Sequence, residues 1–402
     1  MKTFLKIIKW LGIALLLAVI LLRITGNGHL IKGVWIVYMH GNTSAVIDDG
    51  KYFDIRHIDI DSNNTKPWLI HEDYNTTPLN GDLKEGLESS QSIAYLITRG
   101  DSIIREYYWD GYSDTSHSNS FSAAKAITTL LAQSAIQKGY IKGWDQKVVD
   151  FFPDLKGEFA KDLEIIHLAA MTSGMHWEED YKNPFGITAK AYYSDDVWEV
   201  IKELPIDVKP GTEYEYQSGS TMLLGMLVIK ATGQHLSDFA SDALWKPLNA
   251  EETAYWHMDQ HMGTELGYCC FNSNARDFAR FGKMNNNLGN WDGKQLIDSS
   301  FYDIAAEPGM VPYYGMGFWM TDKYNTQVYY HRGLLGQYII SIPKYDLVVV
   351  RLGKSRGPSA DDKHTKLFHA LVEDAIETYG IDYPEDSISN NLLLKNTENE
   401  II

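Results

Sequence analysis

Two strand pairs lie far apart in this sequence, and a helix follows each. The first, SIAYLITRGDSIIREYYWDG (Ser92–Gly111), holds two apolar runs around Arg99, Gly100 and Asp101, a turn signal. The second, QYIISIPKYDLVVVRLG (Gln337–Gly353), turns at Pro343–Asp346. A helix is expected from near Ser122, and an amphipathic one over DDKHTKLFHALVEDAIETYG at the far end. Apolar strand pairs must bury their faces, and two such units with helices satisfy each other in one antiparallel sheet. The expected fold is therefore α/β of the α+β kind. An antiparallel sheet built from both chain ends is flanked by helices, and the middle of the chain forms a mostly helical subdomain. In that middle, a short helix should end at Gly174, another should run from Ser218 to about Ala231 before Gly233, and a third should lie in SNARDFARFGKM.

The N-terminus adds a second constraint. Lys2, Lys6 and Lys9 precede the uncharged run Trp10–Leu22, and Arg23 follows. This is the layout of an export signal, and Phe4–Leu22 spans a bilayer if the lysines snorkel. The small-residue cleavage pattern is weak, so an uncleaved anchor is expected, with the rest of the chain facing the periplasm or the extracellular side. Cleavage is the alternative. Four stretches are expected along the chain: an anchor over residues 1–28, an N-terminal extension over 29–84 with a strand-like piece at Gly33–Met39, a main domain over 85–383, and a loose tail over 384–402.

Composition excludes some classes. With 53 acidic against 36 basic residues the net charge is -17, which argues against a nucleic-acid partner. The only cysteines, Cys269 and Cys270, are adjacent, and no zinc-type spacing exists. Two buried thiols are expected there, since a bond between neighbours closes a strained ring. His257 and His261 are spaced i, i+4 but lack a third ligand, so no metal and no cofactor is expected.

The chemistry concentrates at three places. In SNSFSAAKAITTLL, Ser122 and Lys125 are three residues apart, which puts them on one helix face, roughly 5–6 Å apart at Cβ. A hydroxyl is a poor nucleophile without a base in reach. Apolar neighbours desolvate Lys125 and lower its pKa, which lets it take the serine proton. A second Ser-x-x-Lys, Ser341 to Lys344, crosses from a strand into a proline turn, where the two side chains have no shared face. Next, Tyr216-Gln217-Ser218 precedes a helix after a Pro-Gly turn. A phenol held near Lys125 would be acidified and could carry a proton to a leaving group. Last, His331-Arg332-Gly333 opens an apolar strand, where glycine allows close approach of a ligand. Tyr181, after the Gly174 turn, is a candidate for the mouth of the cleft.

Taken together, Ser122-x-x-Lys125, Tyr216-x-Ser218 and His331-x-Gly333 resemble the Ser-x-x-Lys, Tyr-x-Asn and Lys-x-Gly elements of serine β-lactamases and penicillin-binding proteins. HLAAMTSGMHWEE, PGTEYEYQSGSTMLLG, NARDFARFGKM and GLLGQYIISIPKYDLVVV are similar to the β-lactamase-like esterases and the 6-aminohexanoate-dimer hydrolases. The resemblance implies a β-lactamase/transpeptidase-like fold and a serine hydrolase acting on an ester or amide bond of a small substrate through an acyl-enzyme. In that reading Ser122 is the nucleophile, Lys125 the base and Tyr216 the proton shuttle. The backbone N–H groups of Ser122 and Leu334, beside Gly333, form the oxyanion hole. Two departures stand out. Ser218 replaces the usual asparagine, and His331 with Arg332 replaces the Lys-Thr pair that binds a carboxylate, a role Arg332 can still fill. Both fit the esterase and amidase branch better than a strong β-lactamase. The alternatives are an acylatable sensor or penicillin-binding type domain without efficient turnover, a D-amino-acid peptidase, or a weak β-lactamase.

Overall fold

The computed structural model describes residues 1–361 and 363–380; the expected loose tail, residues 384–402, lies outside the described residues. The chain divides into two compact units. One takes Met1–Asp59, Ser118–Trp245 and Thr253–Asn272, and the other takes Ile60–His117, Lys246–Glu252 and the described residues from Ser273 on.

The second unit holds the sheet that the two strand pairs called for. Its seven strands run in the order Trp319–Thr321, Val328–Gly333, Gln337–Ile342, Leu347–Gly353, Ser92–Arg99, Ser102–Tyr108 and Leu69–Ile70. The chain ends join at its centre, where Leu347 pairs with Arg99 and Val350 with Leu96 in antiparallel register. Every neighbour pair is antiparallel except the outermost, Leu69–Ile70 against Ser102–Tyr108. Leu347–Gly353 is buried at every residue, Arg351 included, as a strand covered on both faces. The helix Ala275–Asn286 packs on the central strands. Asn274 caps it by accepting from the Asp277 N–H at 2.8 Å. The C-terminal helix Lys366–Tyr379 is tied to the sheet by a buried Arg105–Asp374 ion pair, to which the Tyr95 hydroxyl donates.

The first unit is built around the helices Ala124–Gln137 and Ser218–Thr232, which pack against each other. Gly233, with φ of 71°, ends the second in the left-handed cap its sequence announced. A small sheet accompanies them, in the order Ile55–Ile58, Ala254–His257, Phe271–Ser273 and Ser118–Asn119. The helix Lys2–Ile24 has no buried residue. At 1.5 Å per residue its 23 residues measure about 35 Å, enough for a hydrocarbon core of about 30 Å. It is the one described helix long and apolar enough to cross a membrane.

Three expectations fail locally. Gly33–Met39 is not a strand: His29–Ile36 forms a helix and Tyr38–His40 a 3-10 turn. Helical winding buries His29, Gly33 and Ile36 on one face, and the Gly33 backbone comes so close to the Tyr193 ring that a Cβ would lie 3.2 Å from it. Packing overrides the β-branched composition here. The short helix expected to reach Gly174 stops at Ala169, because Met171 and Gly174 both take positive φ, 58° and 69°. Finally, Cys269 and Cys270 are not two thiols but a disulfide between neighbours. Cys270 takes φ of 69°, and the turn is held by Trp256 Nε1 donating to the Cys269 carbonyl and Asn272 Nδ2 donating to the Cys270 carbonyl.

Candidate active site

Ser122 sits in a 3-10 turn, Phe121–Ala123, that leads into the helix Ala124–Gln137. The residue before it, Phe121, is buried with φ of 46°, a conformation that costs a non-glycine residue roughly 1–3 kcal/mol. The turn is over-determined from both sides. Asn119 Oδ1 accepts from the Phe121 N–H at 2.8 Å, and the Ser120 N–H donates to the Phe271 carbonyl at 3.0 Å. Ser122 itself remains partly exposed while its neighbours are buried.

Lys125 lies one turn on and is 1% exposed. Its Nζ donates to Ser122 Oγ at 3.1 Å, Ser218 Oγ at 3.0 Å and the Tyr268 carbonyl at 3.0 Å. Those bonds use all three protons of an ammonium. Burial pushes the Lys125 pKa down to about 8, opposed by the negative charge of Glu179. The rings of Tyr216 and Tyr268 lie 5.1 and 5.4 Å from Nζ.

Ser218 opens the helix Ser218–Thr232, and its hydroxyl donates to Glu179 Oε1 at 2.6 Å. Its proton being committed there, it can only accept from Lys125. The Ser218 N–H donates to Glu179 Oε2 at 2.7 Å, so the carboxylate sits on the positive end of that helix. Trp177 Nε1 and the Tyr181 hydroxyl complete its shell at 2.6 and 2.5 Å. Tyr181 is half exposed and lies near the Ser122 side chain. Burial and the neighbouring Glu179 raise its pKa well above the ordinary value, so it remains a neutral phenol. Gly219 lets this arrangement close: a Cβ there would stand 2.5 Å from the Trp177 ring.

The structure thus brings Ser122, Lys125, Tyr181, Tyr216 and Ser218 together within the first unit. Ser218 is 1% exposed and serves as a link between Lys125 and Glu179. Glu179 escaped the sequence reading. No local signal marked it, because its contact with Ser218 spans 39 residues of sequence.

His331, Arg332, Gly333 and Leu334 belong to the second unit, on the strand Val328–Gly333 and the turn after it. His331 is a core side chain, 1% exposed, with Nε2 against Asn285 Nδ2 at 3.1 Å and its ring beside Phe318. Burial lowers its pKa to about 3, so it is neutral and turned inward, which corrects the expectation that its side chain meets substrate. Arg332 points the other way. It stacks 4.2 Å over Trp319 and donates to the Lys363 carbonyl at 2.6 Å. The second Ser-x-x-Lys behaves as expected: Ser341 is buried and donates to the Gly282 carbonyl, while Lys344 lies in the following turn. His257 and His261 do not converge, one being buried beside Phe53 and the other exposed near Asp54.

A family model described as Beta-lactamase matches residues 80–374. The chain belongs to the Beta-lactamase family. Among curated relatives, the 6-aminohexanoate-dimer hydrolase of Paenarthrobacter ureafaciens is 25% identical over 310 residues, covering 70% of this chain and 77% of that protein. A putative D-alanyl-D-alanine carboxypeptidase of Escherichia coli O157:H7 is 27% identical over 212 residues, 49% of this chain and 46% of that one. Among solved structures, a putative 6-aminohexanoate-dimer hydrolase from Bacillus anthracis superposes with a TM-score of 0.69 at 21% identity, covering 82% of this chain and 91% of that chain. This chain therefore has the β-lactamase-like fold, and its named relatives are hydrolases.

Proposed function

We propose that this protein is a serine hydrolase that cleaves an ester or amide bond of a small substrate through an acyl-enzyme. One observation carries the reading. Of the three groups around Lys125 Nζ, the Tyr268 carbonyl has no proton and Ser218 has given its own to Glu179. When Lys125 is neutral, the hydroxyl left to donate to its lone pair is that of Ser122. With a pKa of about 8, the amine is neutral in a useful fraction of molecules near neutral pH.

In the first step the Ser122 Oγ–H proton passes to Lys125 as Oγ bonds to the substrate carbonyl carbon. The Ser122 backbone N–H, at the entry to the helix Ala124–Gln137, supports the oxyanion. Tyr216 then protonates the departing alkoxide or amine and recovers a proton from Lys125. Water attacks the acyl-enzyme by the reverse route, releasing the acid and restoring Ser122. The similarity to a 6-aminohexanoate-dimer hydrolase favours linear amides among the candidate bonds.

We further propose that Lys2–Ile24 anchors the chain in a membrane with the hydrolase outside the cytoplasm, the lysines on the cytoplasmic flank. Ser122→Ala should lose turnover of a p-nitrophenyl acyl ester by at least about 10⁴-fold while keeping its fold. Undiminished turnover would remove Ser122 from the reaction. A panel of short-chain esters, amino-acid amides and a chromogenic cephalosporin then sorts the bond type, and a persistent adduct in place of turnover would indicate an acylated sensor.

A further inference from the structure

A second cluster of side chains, wholly within the second unit, has no part in the acyl-enzyme chemistry. Asp361 and His364 lie in the loop before the C-terminal helix, and His369 lies in that helix's first turns. His364 Nδ1 is 3.2 Å from one Asp361 carboxylate oxygen, and His369 Nε2 is 3.2 Å from the other. One nitrogen or oxygen from each of the three residues lies within 4.8 Å of the others.

The far side of each ring is also built. His364 Nε2 faces the Tyr330 hydroxyl at 2.8 Å, and His369 Nδ1 faces the Tyr324 hydroxyl. The loop is pinned as well. Asp361 Oδ1 accepts from the Lys363 and His364 N–H groups at 2.7 Å each, and Arg332 holds the Lys363 carbonyl. His364 packs flat on Phe368 at 4.8 Å between centroids. The exposed member is Asp361, so the cluster is open to solvent on that side.

When each phenol oxygen accepts from the far N–H, that tautomer leaves a lone pair on the nitrogen facing Asp361; when the phenol donates instead, the near N–H bonds the Asp361 carboxylate. In the first tautomer two lone pairs and a carboxylate face one another, an arrangement that a cation relieves. Ring orientation by a hydrogen bond to the remote nitrogen is how histidine ligands are held. Two atoms each about 2.0–2.1 Å from a tetrahedral zinc ion are about 3.4 Å apart, close to the 3.2 Å nitrogen–oxygen separations, while the widest pair of the cluster, within 4.8 Å, has to draw in on binding. Lys323 Nζ, 3.4 Å from His369 Nδ1, can only donate to that nitrogen, so binding an ion at Nε2 requires this contact to break and the ring proton to sit on Nδ1, toward the Tyr324 hydroxyl.

We infer that Asp361, His364 and His369 bind one divalent transition-metal ion of the zinc type, with a position left for water or another ligand. The ion would clasp the loop to the C-terminal helix and to the tyrosine on strand Val328–Gly333. The competing occupant is the proton, which would make the same three residues two His–Asp ion pairs.

The test uses tag-free full chain, stripped with a chelator and dialysed, then titrated with Zn²⁺ by calorimetry and with Co²⁺ by visible absorption. Saturation at one ion per chain with tetrahedral Co²⁺ bands is expected. Asp361→Asn and His369→Gln should each abolish the bands. Tyr330→Phe, which touches no metal, should weaken binding about tenfold or more, as loss of an orienting partner does. His261→Gln on the surface should change nothing. Circular dichroism and melting checks that each variant is folded. No saturable binding to wild type, or binding unchanged in folded Asp361→Asn and His369→Gln, overturns the inference and leaves the proton as occupant. The result is independent of whether Ser122 is a nucleophile.

Discussion

Lys125 in the first unit and Arg351 in the second are both buried cations, and neither has a carboxylate among its hydrogen-bond partners in the described residues. Burial lowers the pKa of both, Lys125 to about 8 and Arg351 to about 10. Their surroundings differ in kind. Arg351 donates to the carbonyls of Leu335, Gly336 and Ser90 and to Ser92 Oγ. Every group it meets is satisfied by a fixed, planar, charged donor. It thereby holds the turn Leu334–Gly336, where Leu335 and Gly336 both take positive φ. Lys125 has one partner, Ser122, that can reverse the direction of the hydrogen bond, and its pKa lets that happen at workable pH. In the proposed reaction the one cation is architecture and the other is chemistry. What separates them is whether a neighbour can give a proton back, since burial is the same.

The largest effect that bears on this contrast is at the lysine. Lys125→Met removes the proposed base with little change of volume, and kcat/KM should fall by about 10²–10⁴-fold. Folded protein with wild-type kcat/KM would contradict the assignment.

The next is a stability effect. Arg351→Met removes the donor from four acceptors, three of them in buried hydrogen bonds, and should cost about 3–5 kcal/mol in denaturant unfolding. Arg351→Lys should recover little of it, because one ammonium cannot reproduce the planar fork. Full recovery by lysine would erase the distinction drawn here.

The third effect reads the lysine's own titration. Its folded pKa, about 8, lies below the ordinary 10.5, so between those values the unfolded chain binds more protons than the folded one. Stability should therefore rise with pH across that window, by about 3 kcal/mol for 2.5 units, and below pH 8 the cost is fully present. Lys125→Met should flatten the slope. An equal slope in both proteins assigns the titration elsewhere.

The smallest is a shift. Glu179 raises the Lys125 pKa, so Glu179→Gln should move the acid limb of the kcat/KM profile to lower pH. A limb that stays in place or moves up would separate Glu179 from the lysine.

How much of this was readable from the sequence follows the same line. The sheet was legible because Leu347–Gly353 and Ser92–Arg99 are mostly apolar strands, each in a hairpin, that must bury both faces and so pair with each other across the chain. Ser122 and Lys125 were legible because helical spacing fixes their geometry locally. Glu179 was not, because its role depends on Ser218, 39 residues away, and nothing local marks one acid in Trp-Glu-Glu-Asp over its neighbours. His331 misled for a related reason. Its place before a glycine on a strand suggested a ligand, while strand alternation turns its ring inward to Asn285 and sends Arg332 outward. Gly33–Met39 and the Cys269–Cys270 bond were set by packing and turn geometry that no short stretch encodes. Asp361, His364 and His369 went unnoticed because the loop, not a repeat spacing, folds them together.

The most direct measurement is intact-mass spectrometry after brief mixing with a p-nitrophenyl acyl ester, followed by peptide mapping. The account predicts one acyl group per chain, carried on Ser122, absent in Ser122→Ala and slow to form in Lys125→Met. Acylation at another residue, or equal labelling of Ser122→Ala, would contradict it.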